Sequence, residues 1–67
     1  MIELTVNGEA RRIDAGATVA KLLDQMQLTG KRLAVERNGE IVPKSLHGAT
    51  ALLAGDKLEI VAAVGGG

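Results

Sequence analysis

The chain contains 67 residues with eight basic and eight acidic side chains, and it has no cysteine and no aromatic residue. At this length it forms one domain at most, and without cysteine it has no disulfide bond or thiolate metal site to stabilise it. The balanced charge and the lack of aromatic side chains argue against nucleic-acid binding. No apolar run approaches the roughly 20 residues of a membrane span, and the first residues lack a signal-peptide pattern. We therefore expect a cytoplasmic protein that binds neither nucleic acid nor membrane.

The first predicted element is a β-hairpin. Ile2, Leu4 and Val6 alternate with polar residues, which is the pattern of a half-buried strand. Asn7-Gly8 follows, and this pair adopts positive φ angles easily and is the strongest short signal for a hairpin turn. The second strand of this hairpin is predicted over 10–13.

An amphipathic helix of about three turns is predicted next. Thr18 is expected to cap its N-terminus, and Thr29-Gly30 is expected to end it. Its apolar side chains recur at the i, i+3, i+4, i+7 spacing of one helix face, and they are Val19, Leu22, Leu23 and Met26. A stripe of this kind indicates a helix that packs against a sheet.

A second hairpin and a final strand follow the helix. Leu33 and Val35 belong to a strand, Asn38-Gly39 repeats the turn signal, and a short return strand over 41–42 ends at Pro43. One helical turn is expected near 50–53. The last strand is predicted over 58–64, and its nearly continuous hydrophobicity indicates a central strand with both faces at least partly covered.

These elements predict an α+β fold. The expected architecture is a mixed sheet of four to five strands with one main helix packed across one face, because the amphipathic helix must bury its apolar stripe. Residues 1–64 would form the domain, and residues 65–67 would form a flexible tail.

No group of residues forms a recognisable catalytic centre. The single histidine, His47, lies in a polar segment where it is expected to be a solvated loop residue. Nothing places Ser45 as a nucleophile beside an oriented base. The carboxylates are spread along the chain, mostly beside turns or on polar faces, where they favour solubility. We expect no catalytic residue and no metal ligand in this chain.

The sequence ends in three glycines, Gly65, Gly66 and Gly67. Glycine lacks a side chain, so such a segment can lie flat in a narrow slot that a Cβ atom would obstruct. Three extended residues reach roughly 10 Å. From the residues alone, the tail is either a frayed terminus or a lead that carries a terminal carboxylate into the active site of another protein.

The whole chain resembles the ubiquitin-like β-grasp sulfur carriers, and among them those of thiamin thiazole biosynthesis. The resemblance rests on "IELTVNGE" at the start, "GATVAKLLDQM" in the helix, "LAVERNGEIVP" in the second hairpin, "GDKLEIV" in the last strand and Gly66-Gly67 at the end. It implies a β-grasp fold in which the first and last strands are parallel neighbours at the centre of the sheet. The tail would then leave the domain near the Asn7-Gly8 turn.

The same resemblance implies a carrier that is not itself an enzyme. A ThiF-like adenylating enzyme, related to ubiquitin-activating enzymes, would use ATP to adenylate the carboxylate of Gly67. AMP would be held only transiently as an acyl-adenylate, with no cofactor bound permanently. Sulfur from a cysteine desulfurase or another persulfide donor would displace AMP and leave a thiocarboxylate, and a ThiG-like thiazole synthase would accept that sulfur.

Three apolar residues near the end of the last strand, Val61, Ala63 and Val64, are candidates for a partner-facing patch. The alternative, in which Val61 merely fills a strand position, stays open. Other functions also stay open on sequence alone. They are a related carrier for molybdopterin, cysteine synthesis or tRNA thiolation, a non-covalent β-grasp binding module with an inert tail, and a protein modifier.

Overall fold

The structure is a computed structural model that describes residues 1–62. Within that range the chain forms a five-stranded sheet with the order β2-β1-β5-β3-β4. The elements in chain order are β1 (Ile2–Val6), β2 (Glu9–Ile13), α1 (Val19–Gln25), β3 (Leu33–Arg37), β4 (Glu40–Ile41), a 3₁₀ turn (Lys44–Leu46) and β5 (Lys57–Ala62). The predicted boundary between domain and tail falls outside the described residues and stays a prediction.

Both predicted hairpins are present, and each turns through an asparagine–glycine pair. The φ angles are 51° and 85° at Asn7 and Gly8, and 53° and 87° at Asn38 and Gly39. Two consecutive positive φ angles define the type I′ turn, whose twist matches that of the strands it joins. The return strand of the second hairpin is shifted by one residue from its prediction, since β4 spans Glu40–Ile41 and not 41–42, but the amide of Val42 still donates to the carbonyl of Val35 at 2.8 Å.

Helix α1 begins as predicted but ends earlier. The Thr18 side chain accepts a hydrogen bond from the amide of Lys21 and caps the first turn. The helix then stops after seven residues, about two turns, because Gln27 adopts a left-handed conformation with φ of 61°. The amides of Gln27 and Leu28 donate back to the carbonyls of Asp24 and Leu23, which is the Schellman arrangement. The prediction that Thr29-Gly30 ends the helix is therefore wrong.

The segment between β4 and β5 also differs from the prediction. Its helical turn lies at Lys44–Leu46, directly after Pro43, and not near 50–53. Ala51 instead forms an antiparallel bridge with Thr18, and the amide of Leu52 donates to the carbonyl of Ala17 at 2.8 Å. These bonds tie the segment to the start of α1.

One aliphatic core fills the space between α1 and the sheet. Its fully buried members come from both layers, and they include Leu4, Ile13, Val19, Leu22, Val35, Leu52 and Leu58. The predicted apolar stripe of the helix points into this core, with Met26 at its edge. Burial of each such side chain stabilises the fold by roughly 1.5–3 kcal/mol.

Strand β5 is central, as predicted, but only one of its faces is covered. It pairs in parallel with β1 and antiparallel with β3. Leu58 and Ile60 face the core, whereas Glu59 and Val61 are exposed. The expectation that both faces would be at least partly covered is wrong for the described residues, because α1 packs on one side of the sheet alone.

We predict that Leu22→Ala destabilises the domain by about 2–5 kcal/mol, since the lost side chain is fully buried and leaves a cavity. Urea unfolding followed by circular dichroism measures the change. The neighbouring exposed Lys21→Ala serves as a control and should stay within about 0.5 kcal/mol of wild type. Equal stability of the two variants would contradict a core between helix and sheet.

Candidate functional site

The candidate site is the C-terminal end of β5, the last strand that the structure describes. Thr5 lies opposite Lys57 and Val6 lies opposite Leu58 in the parallel pair. Because β1 turns away at Asn7-Gly8, β5 continues past the end of β1. The prediction that the first and last strands are parallel neighbours at the centre of the sheet is confirmed. The predicted exit of the tail near the Asn7-Gly8 turn lies outside the described residues and stays a prediction.

The start of β5 is anchored by the carboxylate of Asp56, which is 6% exposed. Its Oδ2 atom accepts hydrogen bonds from Arg37 Nε and from the amide of Leu53, each at 2.8 Å. Its Oδ1 atom accepts from Asn38 Nδ2 at 3.0 Å. This carboxylate therefore joins the second hairpin, the preceding loop and β5, and its role is structural. The sequence prediction that carboxylates beside turns serve solubility is wrong for Asp56.

The charge state of Asp56 follows from these contacts. Burial by itself would raise the pKa of the carboxyl group. The hydrogen bonds from Leu53, Arg37 and Asn38, together with the positive charge of Arg37, outweigh burial, so that the pKa lies below its ordinary value. Asp56 is consequently ionised at neutral pH and forms a partly buried ion pair with Arg37.

The far end of β5 is held by the side chain of Asn7. Its Oδ1 atom accepts a hydrogen bond from the amide of Ile60 at 2.8 Å, and its Nδ2 atom donates to the carbonyl of Ile60 at 3.1 Å. The amide of Asn7 itself donates to the carbonyl of Leu58. The Asn7 side chain thus supplies the hydrogen bonds that the main chain of a further β1 residue would make. The sequence identified Asn7 as a turn former but gave no signal for this second role.

The uncovered face of the sheet carries the described member of the predicted apolar patch. Val61 is 58% exposed and lies opposite Ala34 of β3. Glu59 and Glu36 are opposite one another in the same pair of strands, so the patch is bordered by two carboxylates. Ala63, Val64, Gly65, Gly66 and Gly67 lie outside the described residues, and the predictions made for them stay predictions.

His47 differs from its predicted role. It is half-buried, its Nε2 atom is 3.1 Å from the carbonyl of Val42, and its own carbonyl accepts from the amide of Ala20. With Leu23, Leu28 and Lys44 it lines a groove of about 270 Å³ beside the end of α1. The histidine joins the 3₁₀ turn to α1, so it is not a freely solvated loop residue.

Residues 1–62 contain neither a cluster of metal-binding side chains nor a membrane-spanning helix. No group of three histidine, aspartate or glutamate side chains in this range is arranged to hold a metal ion. The one α-helix found there is too short to cross a membrane.

Comparison with solved structures defines the class of protein. The crystal structure of the thiamine biosynthesis protein ThiS from Geobacter metallireducens superposes with a TM-score of 0.84 at 32% identity, and the match covers 98% of this chain and 100% of that chain. The five-stranded mixed sheet with a single helix is that of a ubiquitin-like β-grasp protein, as the sequence predicted.

The family follows from sequence comparison. A model of the ThiS family matches residues 4–67, and the chain belongs to that family. A thiazole synthase from Paramagnetospirillum magneticum is 50% identical over 66 residues, which are 98% of this chain and 20% of that protein. The chain thus spans about a fifth of the length of this relative. The uncharacterized protein ycf40 of Pyropia yezoensis is 35% identical over 98% of this chain and 93% of its own length.

We predict that Asp56→Asn costs about 1–3 kcal/mol at pH 7, because an amide NH₂ would face donors that the carboxylate now accepts from. The pKa of Asp56 is lowered in the folded protein, so its stabilisation is complete above the unfolded value of 3.8 and is lost as pH falls through the folded value. The difference between wild type and variant should therefore shrink below about pH 4.

Urea unfolding at pH 7 and pH 3 measures this dependence. Asp14→Asn changes an exposed carboxylate and is the control, with an expected effect within about 0.5 kcal/mol at pH 7. An unchanged difference between wild type and Asp56→Asn at the two pH values would contradict the proposed ionised anchor.

Proposed function

We propose that this chain is a sulfur carrier of thiamine biosynthesis that acts as a co-substrate of other enzymes and is not itself an enzyme. The match of the ThiS family to residues 4–67 is the observation that carries the proposal, since it includes the three glycines. The superposition with a thiamine biosynthesis protein supports the same pathway. The proposed location is the cytoplasm, where ATP is available.

The proposed chemistry takes place on the main chain. In a chain that ends at Gly67, the terminal carboxylate is ionised at neutral pH, since its reference pKa is about 3.5. An oxygen of this carboxylate attacks the α-phosphate of ATP and releases pyrophosphate, which leaves an acyl-adenylate. Sulfur of a persulfide then attacks the acyl carbon and expels AMP. A second thiol cleaves the resulting acyl disulfide, which yields the thiocarboxylate and a new disulfide.

The absence of cysteine supports this location for the sulfur. The chain has no thiol that could hold sulfur as a side-chain persulfide. Five residues follow Ala62, and fully extended they span about 17 Å. That length allows Gly67 to enter a partner's active site while the domain stays outside. Gly65 and Gly66 would occupy the narrow entrance, where no Cβ atom obstructs passage.

The proposed partners follow from the steps of the reaction. A ThiF-like adenylating enzyme supplies the ATP chemistry, and a cysteine desulfurase or another persulfide donor supplies the sulfur. A thiazole synthase accepts it. The last partner is supported by the relative from Paramagnetospirillum magneticum, a protein named thiazole synthase that contains a region 50% identical to this chain. A carrier-like region within a protein named thiazole synthase supports a thiazole synthase as the partner that accepts the sulfur.

We predict that incubation with ATP, a persulfide donor and the cognate adenylating enzyme replaces one terminal oxygen by sulfur. Intact-mass spectrometry measures the change, and a fragment spectrum assigns it to Gly67. Deletion of Gly66 and Gly67 should abolish the mass change and leave the unfolding midpoint unaltered. If wild type releases no pyrophosphate and gains no mass, the carrier function is wrong.

We further predict that Val61→Asp raises the KM of the adenylating enzyme for this chain about tenfold, because a charged side chain would be desolvated at the docking surface. Val61 is 58% exposed, so the substitution should leave the fold intact.

Ile41→Asp is the matched control for Val61→Asp. Ile41 is a comparably exposed strand residue, at 61%, and lies in the edge strand β4, two strands away from β5. It should change KM by less than about twofold. Equal KM values for the two variants would show that Val61 merely fills a strand position.

A further inference from the structure

We propose that Asn7 is a positioning residue that fixes the point at which the tail leaves the domain. The inference rests on the proposed function, because it concerns how the carboxylate of Gly67 is presented. It is carried by the two hydrogen bonds between the Asn7 side chain and the main chain of Ile60.

The pairing of β5 shows why this contact matters. In an antiparallel pair, residues alternate between pointing their polar main-chain groups toward the partner strand and away from it. The amide of Asn38 donates to the carbonyl of Lys57, so Lys57, Glu59 and Val61 direct these groups toward β3. Leu58 and Ile60 direct theirs toward β1.

Strand β1 cannot satisfy both of these residues with its main chain. The carbonyl of Leu58 accepts a hydrogen bond from the amide of Asn7. The next residue of the hairpin, Gly8, already lies in the turn, so the β1 main chain ends before it reaches Ile60. The carboxamide of Asn7 fills the gap, with one acceptor for the amide of Ile60 and one donor for its carbonyl. It is the last contact with β5 from this side among the described residues.

The consequence concerns the seven residues from Val61 to Gly67. With Asn7 in place, β5 is hydrogen-bonded from both sides as far as Ile60, and Val61 and Ala62 then pair with β3 alone. Without the carboxamide, the hold on one side ends at Leu58, and Ile60 gains freedom because its main-chain groups lose both hydrogen bonds to Asn7. The adenylating enzyme must then order more of the chain before reaction, which raises KM and leaves the rate of the bound complex unchanged.

The structure offers a matched control in Asn38. It occupies the corresponding position of the other type I′ turn, accepts from the amide of Lys57 at 2.9 Å and donates to Asp56 at 3.0 Å. It therefore makes the same number of side-chain contacts at the opposite end of β5. Glycine at either position keeps the positive φ angle of the turn and removes the carboxamide.

The experiment measures ATP–pyrophosphate exchange by the cognate adenylating enzyme with wild type, Asn7→Gly and Asn38→Gly. We expect Asn7→Gly to raise KM for the chain about tenfold, the change that corresponds to ordering one further residue. Its kcat, and both constants of Asn38→Gly, should stay within about twofold of wild type. Equal KM values for the two variants, or a loss of kcat without a change of KM, would overturn the proposal.

Asn7→Asp keeps the inference testable if Asn7→Gly does not fold. Aspartate is equally suited to the turn and retains the acceptor for the amide of Ile60, but it has no donor for the carbonyl. We expect a KM between those of wild type and Asn7→Gly, or above wild type if only Asn7→Asp can be measured. A wild-type KM would show that the carbonyl contact has no role in presentation.

Amide hydrogen exchange separates a failure of this inference from a failure of the proposed function. In Asn7→Gly, exchange at Ile60 should accelerate about tenfold relative to Leu4 in the same sample, which marks local and not global opening. Asn38→Gly should show no such difference. If wild type is not adenylated, the proposed function fails, and the exchange at Ile60 alone decides whether Asn7 holds the strand. Parallel acceleration at Ile60 and Leu4 would refute that hold.

Discussion

The rest of the structure depends on β5 being held in register between β1 and β3. A strand in this position has to satisfy its main-chain groups on both sides, because an unpaired buried amide or carbonyl costs about as much as a lost hydrogen bond. The neighbouring strands are short, and each ends in a tight turn. Asn38 and Asp56 complete the pairing at the start of β5, and Asn7 completes it near the end. The two turn asparagines therefore reverse the chain and also extend the sheet.

This arrangement explains how a small domain without disulfide bonds keeps one sheet face free. Among residues 1–62, the largest fully buried side chains are aliphatic and belong to the core between α1 and the covered face. No second layer covers the other face within the described part of the chain, so Val61 and Glu59 are exposed there. Much of the polar surface of the sheet is charged, as with Glu36 and Glu59, which limits unwanted association of strands. The free face adjoins the end of β5, so a partner that docks there would lie next to the departing chain.

Local signals in the sequence predicted most of this architecture, and distant contacts account for what they missed. The hairpins were predictable because asparagine followed by glycine readily adopts two consecutive positive φ angles. The role of Thr18 as the N-cap of α1 was predictable because its hydrogen bond involves only the next three residues. The end of α1 was not predictable, since glutamine rarely adopts a left-handed conformation. The hydrogen bonds of the Schellman turn hold Gln27 in that conformation. The anchoring role of Asp56 depends on Arg37, 19 positions away, and that of Asn7 on Ile60, 53 positions away. No pattern within a short window reports such pairs.

The separation between a rigid domain and a side-chain-free tail follows from the chemistry proposed for the chain. A main-chain carboxylate needs no surrounding catalytic groups on its own protein, which agrees with the dispersed carboxylates and with a histidine that is engaged by its own loop. In the proposed reaction, the domain would bring that carboxylate to successive partners in the same way each time. Under the proposed function, such presentation would benefit from a strand that is hydrogen-bonded on both sides as far as Ile60, because a held strand reduces the ordering cost. Terminal glycines would benefit it as well, because they lack a Cβ atom that could obstruct a narrow active site. The hydrogen bonds between Asn7 and Ile60 lie at the last position where β1 and its turn hold β5 among the described residues.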